Sequence, residues 1–423
     1  MRIVSVSKVV PFEGIPHAGG EYYRRHVNAL RDLGHDVVIL APRDGRNIDA
    51  LPHLRRDVDA ILVGRSRRRF LARVTDRLHS ELNPATMPPR FASALRTHPG
   101  AIAAITSADL IEVQWTEMMS TLTAGAPIPG VGRPILIAHD VLAQRESRML
   151  ASTPRWKVLI RAHRRFRLGR VVRREAALLR SARAVITLSD KDAALVQGLV
   201  DRSTSVHAVA PPLWDSSRDP IRRRPTDDDV IMVGAFNRRE NANAAEWLLR
   251  KVWPQVLATR PNARVTLVGS RPSRRLTRQV ERTPNVALSG YVDSLEPFYG
   301  SAAVAVVPLL SGAGIKFKTI DALVRGVPIV STSVGAEGIV DEDGRHPFDV
   351  HDDPTAFASA ILRYLAGHGV DSAQTTGEWA RGRYGTESFA HQIHALIGEV
   401  SRDDGGDHMV TDDNPSLPGG GAS

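Results

Sequence analysis

A chain of 423 residues, 42% apolar and 24% charged, is long enough for two or three domains with packed cores, and is neither fibrous nor wholly disordered in composition. It holds no cysteine, which excludes disulfides and thiolate-ligated metals, and no apolar run nears the ~18 residues that span a bilayer. The formal charge is +10, but residues 401–423 carry five aspartates against one arginine, leaving +14 on the remainder; such an excess suits a polyanion, an anionic membrane surface, or simply a solvated face.

The opening MRIVSVSKVVPFEG lacks the apolar core and cleavage site of a secretory leader and reads as a first strand, and the lack of cysteine fits the expectation of a cytoplasmic protein. Strand-length runs of Val, Ile and Leu recur at 2–6, 36–40, 109–113, 134–138 and 184–188. Continuous rather than alternating apolar content argues for parallel strands covered on both faces. Helical patterns lie between them, such as 20–33, closed by Gly34. Ser189, three residues before Asp192, is the expected cap of another.

PPLWDSSRDPIRRRPTDDD (211–229) breaks the rhythm and is the linker candidate. Strand and helix then alternate again, with strands at 230–233, 264–268, 286–288, 303–307 and 328–331. The expected organisation is an α/β domain over 1–210, a linker over 211–229 and a second α/β domain over 230–387. A helix over 388–400 is expected to return to the first domain, and a Gly-, Pro- and Asp-rich disordered tail fills 401–423.

Three constellations could carry chemistry. Gly19 and Gly20, in HAGGEYYRRHVNAL, stand where the first strand turns into a helix and backbone N–H groups can approach a ligand; a plain tight turn is the alternative. His139 and Asp140, in PILIAHD, end a strand on the edge where open α/β sheets bind ligands; a histidine merely paired with its neighbour Asp140 is the plainer reading. In GAGIKFKTIDALVRGVPIVSTSVGAEGI (312–339), Lys316 and Lys318 sit at the mouth of a helix whose dipole disfavours cations. An anion between them and the backbone N–H groups from Gly314 and Ile315 onward would remove that conflict. Asp321, one turn on, could accept hydrogen bonds from sugar hydroxyls. Gly234, Arg238 and Arg239 follow the first strand of the second domain, and Gly290 with Tyr291 turns after another.

These stretches, taken with RSARAVITLS and VGAFNRRENANAAEWLLRKVWPQVLATRPNARVTLVGS, resemble the retaining, nucleotide-sugar-dependent glycosyltransferases of the GT-B fold, family four. The glycine-rich loop at 312–318 is similar to a GxGxKxK-type branch of that family. The resemblance implies two doubly wound Rossmann-like domains facing each other across a cleft, with the donor held by the second. It also implies no metal and no cofactor beyond the donor.

By the resemblance, Gly19 and Gly20 face the donor phosphates and sugar, and His139 touches the sugar near its reacting carbon. Gly290 and Tyr291 hold the base, and Asp321 binds the ribose. The first glutamate of the family's pair falls on Ala313, so its sugar contact is either missing or supplied by Lys316 or Glu337. The usual Arg and Lys after the second-domain glycine fall on Ala235 and Asn241. That leaves the diphosphate to Lys316, Lys318 and Arg238 or Arg239.

The expected partners are a nucleotide sugar and a hydroxyl acceptor, either a glycan or a lipid-linked saccharide. Arginines through 155–174 surround an apolar stripe with Trp156, Leu159 and Phe166. This stretch either lies on an anionic membrane, placing the protein on the inner face of the cytoplasmic membrane, or packs on the first sheet with its arginines solvated. The rival from another class is a basic nucleic-acid-binding protein. With 5% aromatics, no zinc finger and no RNP motif, nucleic acid is not the expected partner. A sugar-nucleotide epimerase of the same fold is a further alternative; a phosphorylase would need a pyridoxal lysine, and none stands out.

Overall fold

The structure, a computed structural model, describes residues 1–403 apart from 16, 65–74, 77, 78, 80, 126–131, 216–222 and 227. The basic run at 65–70, the middle of 211–229 and nearly all of 401–423 lie outside the described residues. Two parallel sheets organise the rest. The first contains β1 (Arg2–Val6), β2 (Asp36–Pro42), β3 (Asp59–Val63), β4 (Leu110–Gln114), β5 (Ile135–Ala138), β6 (Ala184–Thr187) and β7 (Ser205–Ala208). Their order is β3-β2-β1-β4-β5-β6-β7. The second holds β8 (Asp229–Val233), β9 (Arg264–Val268), β10 (Val286–Gly290), β11 (Val304–Val307), β12 (Ile329–Ser331) and β13 (Asp349–Val350), ordered β10-β9-β8-β11-β12-β13.

Both are doubly wound. Central strands are largely apolar because helices cover both faces. In β1, Ile3 joins one core cluster while Val4 and Val6 join the other across the sheet, as a period of two requires for successive side chains; the Val4–Val6 pair keeps one face. β5 and β6 are buried along their whole length. Three strands that the apolar runs did not reveal, β3, β7 and β13, all lie at or next to a sheet edge. β7 and β13 are only half-buried, so their sequences, SVHA and DV, carry no continuous apolar signal.

Strand order reverses between β1 and β4 in one sheet and between β8 and β11 in the other. In such sheets the crevice outside the carboxyl ends at that point is the ligand site. Here the two crevices face each other. Gly314, in the loop after β11, adopts a φ of +70°, and a Cβ there would lie 3.3 Å from the His139 carbonyl oxygen after β5. Only glycine meets both demands, so this residue marks where the domains touch across the cleft. The last helix, Thr386–Asp403, sets Phe389 edge-on against Tyr22 and His26 of the first helix, Ala18–Asp32.

Candidate functional site

The first-domain wall is built on β4 and β5. Glu112 and Gln114 alternate with apolar neighbours along β4 and so share one face. Gln114 Nε2 donates to Glu112 Oε1 at 3.1 Å, and its Oε1 lies 2.9 Å from His139 Nε2. Glu112 also accepts from Ser5 Oγ at 2.6 Å and pairs with His26 Nε2 at 2.7 Å. Burial would raise the Glu112 pKa, but His26, Ser5 and Gln114 outweigh it and hold the carboxyl below its ordinary value.

His139 does not pair with Asp140, which faces Arg145 at 3.5 Å instead. Its ring stacks on Trp115, centroids 4.2 Å apart and 14° from parallel, and meets Tyr22 edge-on. Burial pushes its pKa well below the ordinary histidine value, and the charges of Lys8, His26 and His17 add to that. The ring is therefore neutral at pH 7. Trp115, directly after β4, holds a φ of +71°, a conformation that costs a bulky residue about 1–3 kcal/mol. It places the indole between His139 and the Lys8 ammonium, which stands 5.0 Å from the ring centroid. Nothing in the sequence pattern singled out Trp115 or the Glu112–Gln114 pair; the polar residues inside EVQW, where a buried strand should be apolar, were the available signal.

Gly19 and Gly20 open the first helix, capped by His17, whose Nδ1 accepts from the Gly20 N–H at 2.9 Å. A Cβ at Gly19 would lie 3.3 Å from both His139 Nδ1 and Trp115, and one at Gly20 would lie 2.4 Å from Ile15 Cδ1. A cavity of about 1260 Å³ extends from this turn over the β1–β2 side of the domain. His17, Gly19 and Trp115 line it, with Lys8, Arg43 and, from the second domain, Arg238.

The opposite wall carries the lysines. The helix they open is short, Phe317–Leu323, with Lys316 at its N-cap and Lys318 in its first turn, and its dipole is correspondingly small. Lys318 Nζ donates to Asn241 Oδ1 at 2.6 Å, while Asn241 Nδ2 donates to the Ala235 carbonyl at 2.9 Å. A Cβ at Gly234 would lie 3.3 Å from Nζ. Burial, with Arg238 second, lowers the Lys318 pKa to about 8. No carboxylate pairs with this ammonium among the described residues.

Lys316 is satisfied differently. Its ammonium meets the Gly314 carbonyl and lies 3.3 Å from Glu337 Oε2. Glu337 also receives Arg148 at 2.6 Å, Lys191 at 2.5 Å and Gln144 at 3.2 Å, all from the first domain. Burial opposes its ionisation, but Arg148, Lys191 and Lys316 prevail and bring its pKa to about 2. The carboxylate is thus occupied by an inter-domain ion cluster, whose Arg148 and Lys191 the sequence motifs had not indicated.

The remaining positions are spread more widely. Asp321 is engaged by Arg325 one turn along its helix. Gly290 ends β10 at a φ of +73°, and Tyr291 after it is 71% exposed. Arg238 pairs with Glu240 at 3.2 Å, and Arg239 begins the helix Arg239–Trp247. Ile315 is buried beside Gly338. The structure therefore gathers His139, Gly19, Gly20, Gly234, Gly314, Lys316, Lys318 and Arg238 about the cleft; Tyr291 stands out in solvent, and Asp321 and Glu337 are already partnered. Among the described residues no group of three or more His, Asp or Glu could hold a metal ion.

Residues 227–367 match the sequence model of the family described as glycosyl transferases group 1. A 44.6 kDa protein from the cps region of Klebsiella pneumoniae, described as uncharacterized, is 29% identical over 143 residues, 32% of this chain and 37% of that protein. The match thus spans about a third of the curated relative.

Sucrose-phosphate synthase from Thermosynechococcus elongatus superposes with a TM-score of 0.67 at 19% identity, covering 95% of this chain and 100% of that one. Anabaena HepE, solved with UDP and glucose, gives 0.62 at 14% over 94% and 100%. WaaG, a glycosyltransferase involved in lipopolysaccharide biosynthesis, gives 0.59 at 15% over 94% and 99%. The fold is GT-B, and its second domain matches the group 1 glycosyltransferase model over residues 227–367.

Proposed function

We propose that the protein transfers a hexose from a nucleotide diphosphate sugar to a hydroxyl acceptor, with retention at the anomeric carbon and without a metal. The observation that carries this reading is Lys318: a half-buried ammonium that pairs with no carboxylate among the described residues and is held by Asn241 beside the glycine turn at Gly234. A cation partly removed from water without a directly bonded carboxylate is costly, and a diphosphate would supply the missing charge. The neighbours solved as sugar-transferring enzymes, and HepE with UDP and glucose, support the choice of donor class.

In this scheme Lys318, Arg238 and the Gly314–Ile315 loop receive the departing nucleoside diphosphate. As the glycosidic bond breaks, negative charge accumulates on the leaving oxygen, and an ammonium already aimed there favours the transition state over the ground state. The acceptor hydroxyl attacks from the same face and its proton passes to the leaving phosphate. The acceptor approaches through the cavity beside Gly19 and Trp115. Release of UDP, GDP or ADP from the corresponding sugars, with the product's anomeric configuration and the effect of a chelator, tests each part.

The basic helix supports a membrane-proximal, lipid-linked acceptor. In the helix Val158–Ser181, Leu159 is 86% and Phe166 62% exposed, and Trp156 just before it is 77% exposed. The stripe does not pack on the sheet; the buried residues of this helix begin at Val171. Arg161 and Arg164 are committed to carbonyls of residues 149–153, whereas Arg155, Lys157 and Arg165 flank the apolar patch. No helix among the described residues is long and apolar enough to cross a membrane, so contact would be interfacial. Sedimentation with anionic vesicles, lost in a Trp156→Ser, Leu159→Ser, Phe166→Ser variant, is the expected result; a wild type left in the supernatant at low salt would remove the membrane from the reading.

A further inference from the structure

The chain of buried hydrogen bonds behind His139 fixes more than its position. Glu112 is an acceptor only: its two oxygens take Ser5 Oγ, His26 Nε2 and Gln114 Nε2. The end of Gln114 that faces it must therefore be the NH2 group, whichever way the amide is first drawn. The other end is then the carbonyl oxygen, 2.9 Å from His139 Nε2. An oxygen without a proton accepts, so Nε2 carries the hydrogen and Nδ1, on a neutral ring, carries a bare lone pair.

Among the described residues that lone pair has no hydrogen-bond partner. Nδ1 is buried with no hydrogen bond, and the nearest cover is Gly19, where even a Cβ would come within 3.3 Å. Gly19 and Trp115, both against the His139 ring, also line the large cavity, which brings the orphaned acceptor close to the space where substrates would lie. A buried acceptor left unpaired is unfavourable; a hydroxyl that reaches it as this turn adjusts would satisfy it.

We propose that Gln114 is a positioning residue that holds His139 in the Nε2–H tautomer, so that Nδ1 reads a hydroxyl of the transferred sugar by accepting its hydrogen bond. This deepens the reading above and rests on it for the sugar. The consequence is selectivity by donor character: a sugar hydroxyl satisfies Nδ1, whereas a carboxylate or carbonyl oxygen at the same place meets another lone pair. Tyr23, whose hydroxyl donates to Ser5 Oγ at 2.8 Å, and His26 complete the buried chain. They anchor Glu112 from the first helix and so tie ring orientation to the same helix that carries Gly19.

The test is the imidazole 15N spectrum of histidine-labelled protein near pH 7.5, with the His139 signals assigned by their loss in His139→Asn. The inference requires a protonated Nε2 and an unprotonated Nδ1 in the wild type with no ligand present. In Gln114→Leu the tautomers should mix, while affinity for UDP or GDP stays within about twofold and kcat falls at least tenfold. A wild-type ring protonated at Nδ1, or Gln114→Leu with wild-type tautomer and kcat, would overturn it. Because the tautomer is read without substrate, that failure is separate from failure of the transferase reading. The latter would show as a correct tautomer in a protein that releases no nucleotide from any sugar donor. With a cognate donor bound, the Nδ1 resonance should move upfield; an unmoved Nδ1 under donor saturation would overturn the sugar contact.

Discussion

Lys318 Nζ and Asn241 Oδ1 lie 2.6 Å apart, joining the first turn of the helix Phe317–Leu323 to the first turn of the helix Arg239–Trp247. A neutral amide oxygen orients this ammonium without neutralising it, which leaves its charge for a ligand. From this follows the first prediction. Lys318→Ala should weaken nucleoside diphosphate binding by about 1.5–3 kcal/mol, the range for a charge-assisted hydrogen bond. Calorimetric titration of UDP and GDP at moderate salt measures it, and unchanged affinity would place the phosphates elsewhere.

The same residue predicts a pH dependence. Its pKa in the free protein is lowered to about 8 by burial and by Arg238, and a bound diphosphate must raise it. The complex then holds more protons than the free protein above about pH 8, so affinity falls as pH rises beyond that point. Titrations at pH 7 and pH 9 should differ by several-fold, with little change between pH 6.5 and 7.5. In Lys318→Met the fall above pH 8 should vanish.

His139→Ala should lower kcat at least tenfold while leaving nucleotide affinity within about twofold, because His139 belongs to the first-domain wall and the proposed nucleotide site to the second domain. A variant that binds UDP or GDP poorly yet turns over normally at saturation would reverse that assignment.

Glu337→Ala should destabilise the fold by roughly 2–3 kcal/mol. This is less than the 3–5 kcal/mol of a fully buried pair because Arg148 and Lys191 are about a third exposed. The Glu337 pKa is depressed to about 2, so its contribution is present above the unfolded carboxyl value near 4.5 and is lost as pH falls toward about 2. Denaturant melts of wild type and variant at pH 7 and pH 3 should therefore differ less at the lower pH. Equal differences would show that the ion cluster does not set the effect.

How much of this was legible beforehand follows from burial. Strands such as β5, ILIA, and β6, AVIT, announce themselves because a parallel strand covered on both faces is apolar at every position. β7 and β13, at the edge, do not. His139, the glycine turns and the lysine loop were visible because strand-end and turn positions have few ordinary reasons to hold those residues. Gln114 and Glu112 were hidden, since their importance arises from partners on β1, the first helix and β5 that only the sheet order brings together. Glu337 drew attention as a replacement for the carboxylate missing at Ala313, but two of its three cations, Arg148 and Lys191, come from first-domain helices far upstream in the chain. No spacing in the sequence could pair Arg148 with it.

Nucleotide release from UDP-, GDP- and ADP-hexoses tests the central claim most directly, followed over time with and without an acceptor extract, for wild type, Lys318→Ala and His139→Ala. One nucleotide class should be released, faster with acceptor, with both variants at least tenfold slower. Only Lys318→Ala should need more donor to saturate. Wild-type protein that releases no nucleoside diphosphate from any donor, and binds none of the free diphosphates, would contradict the account.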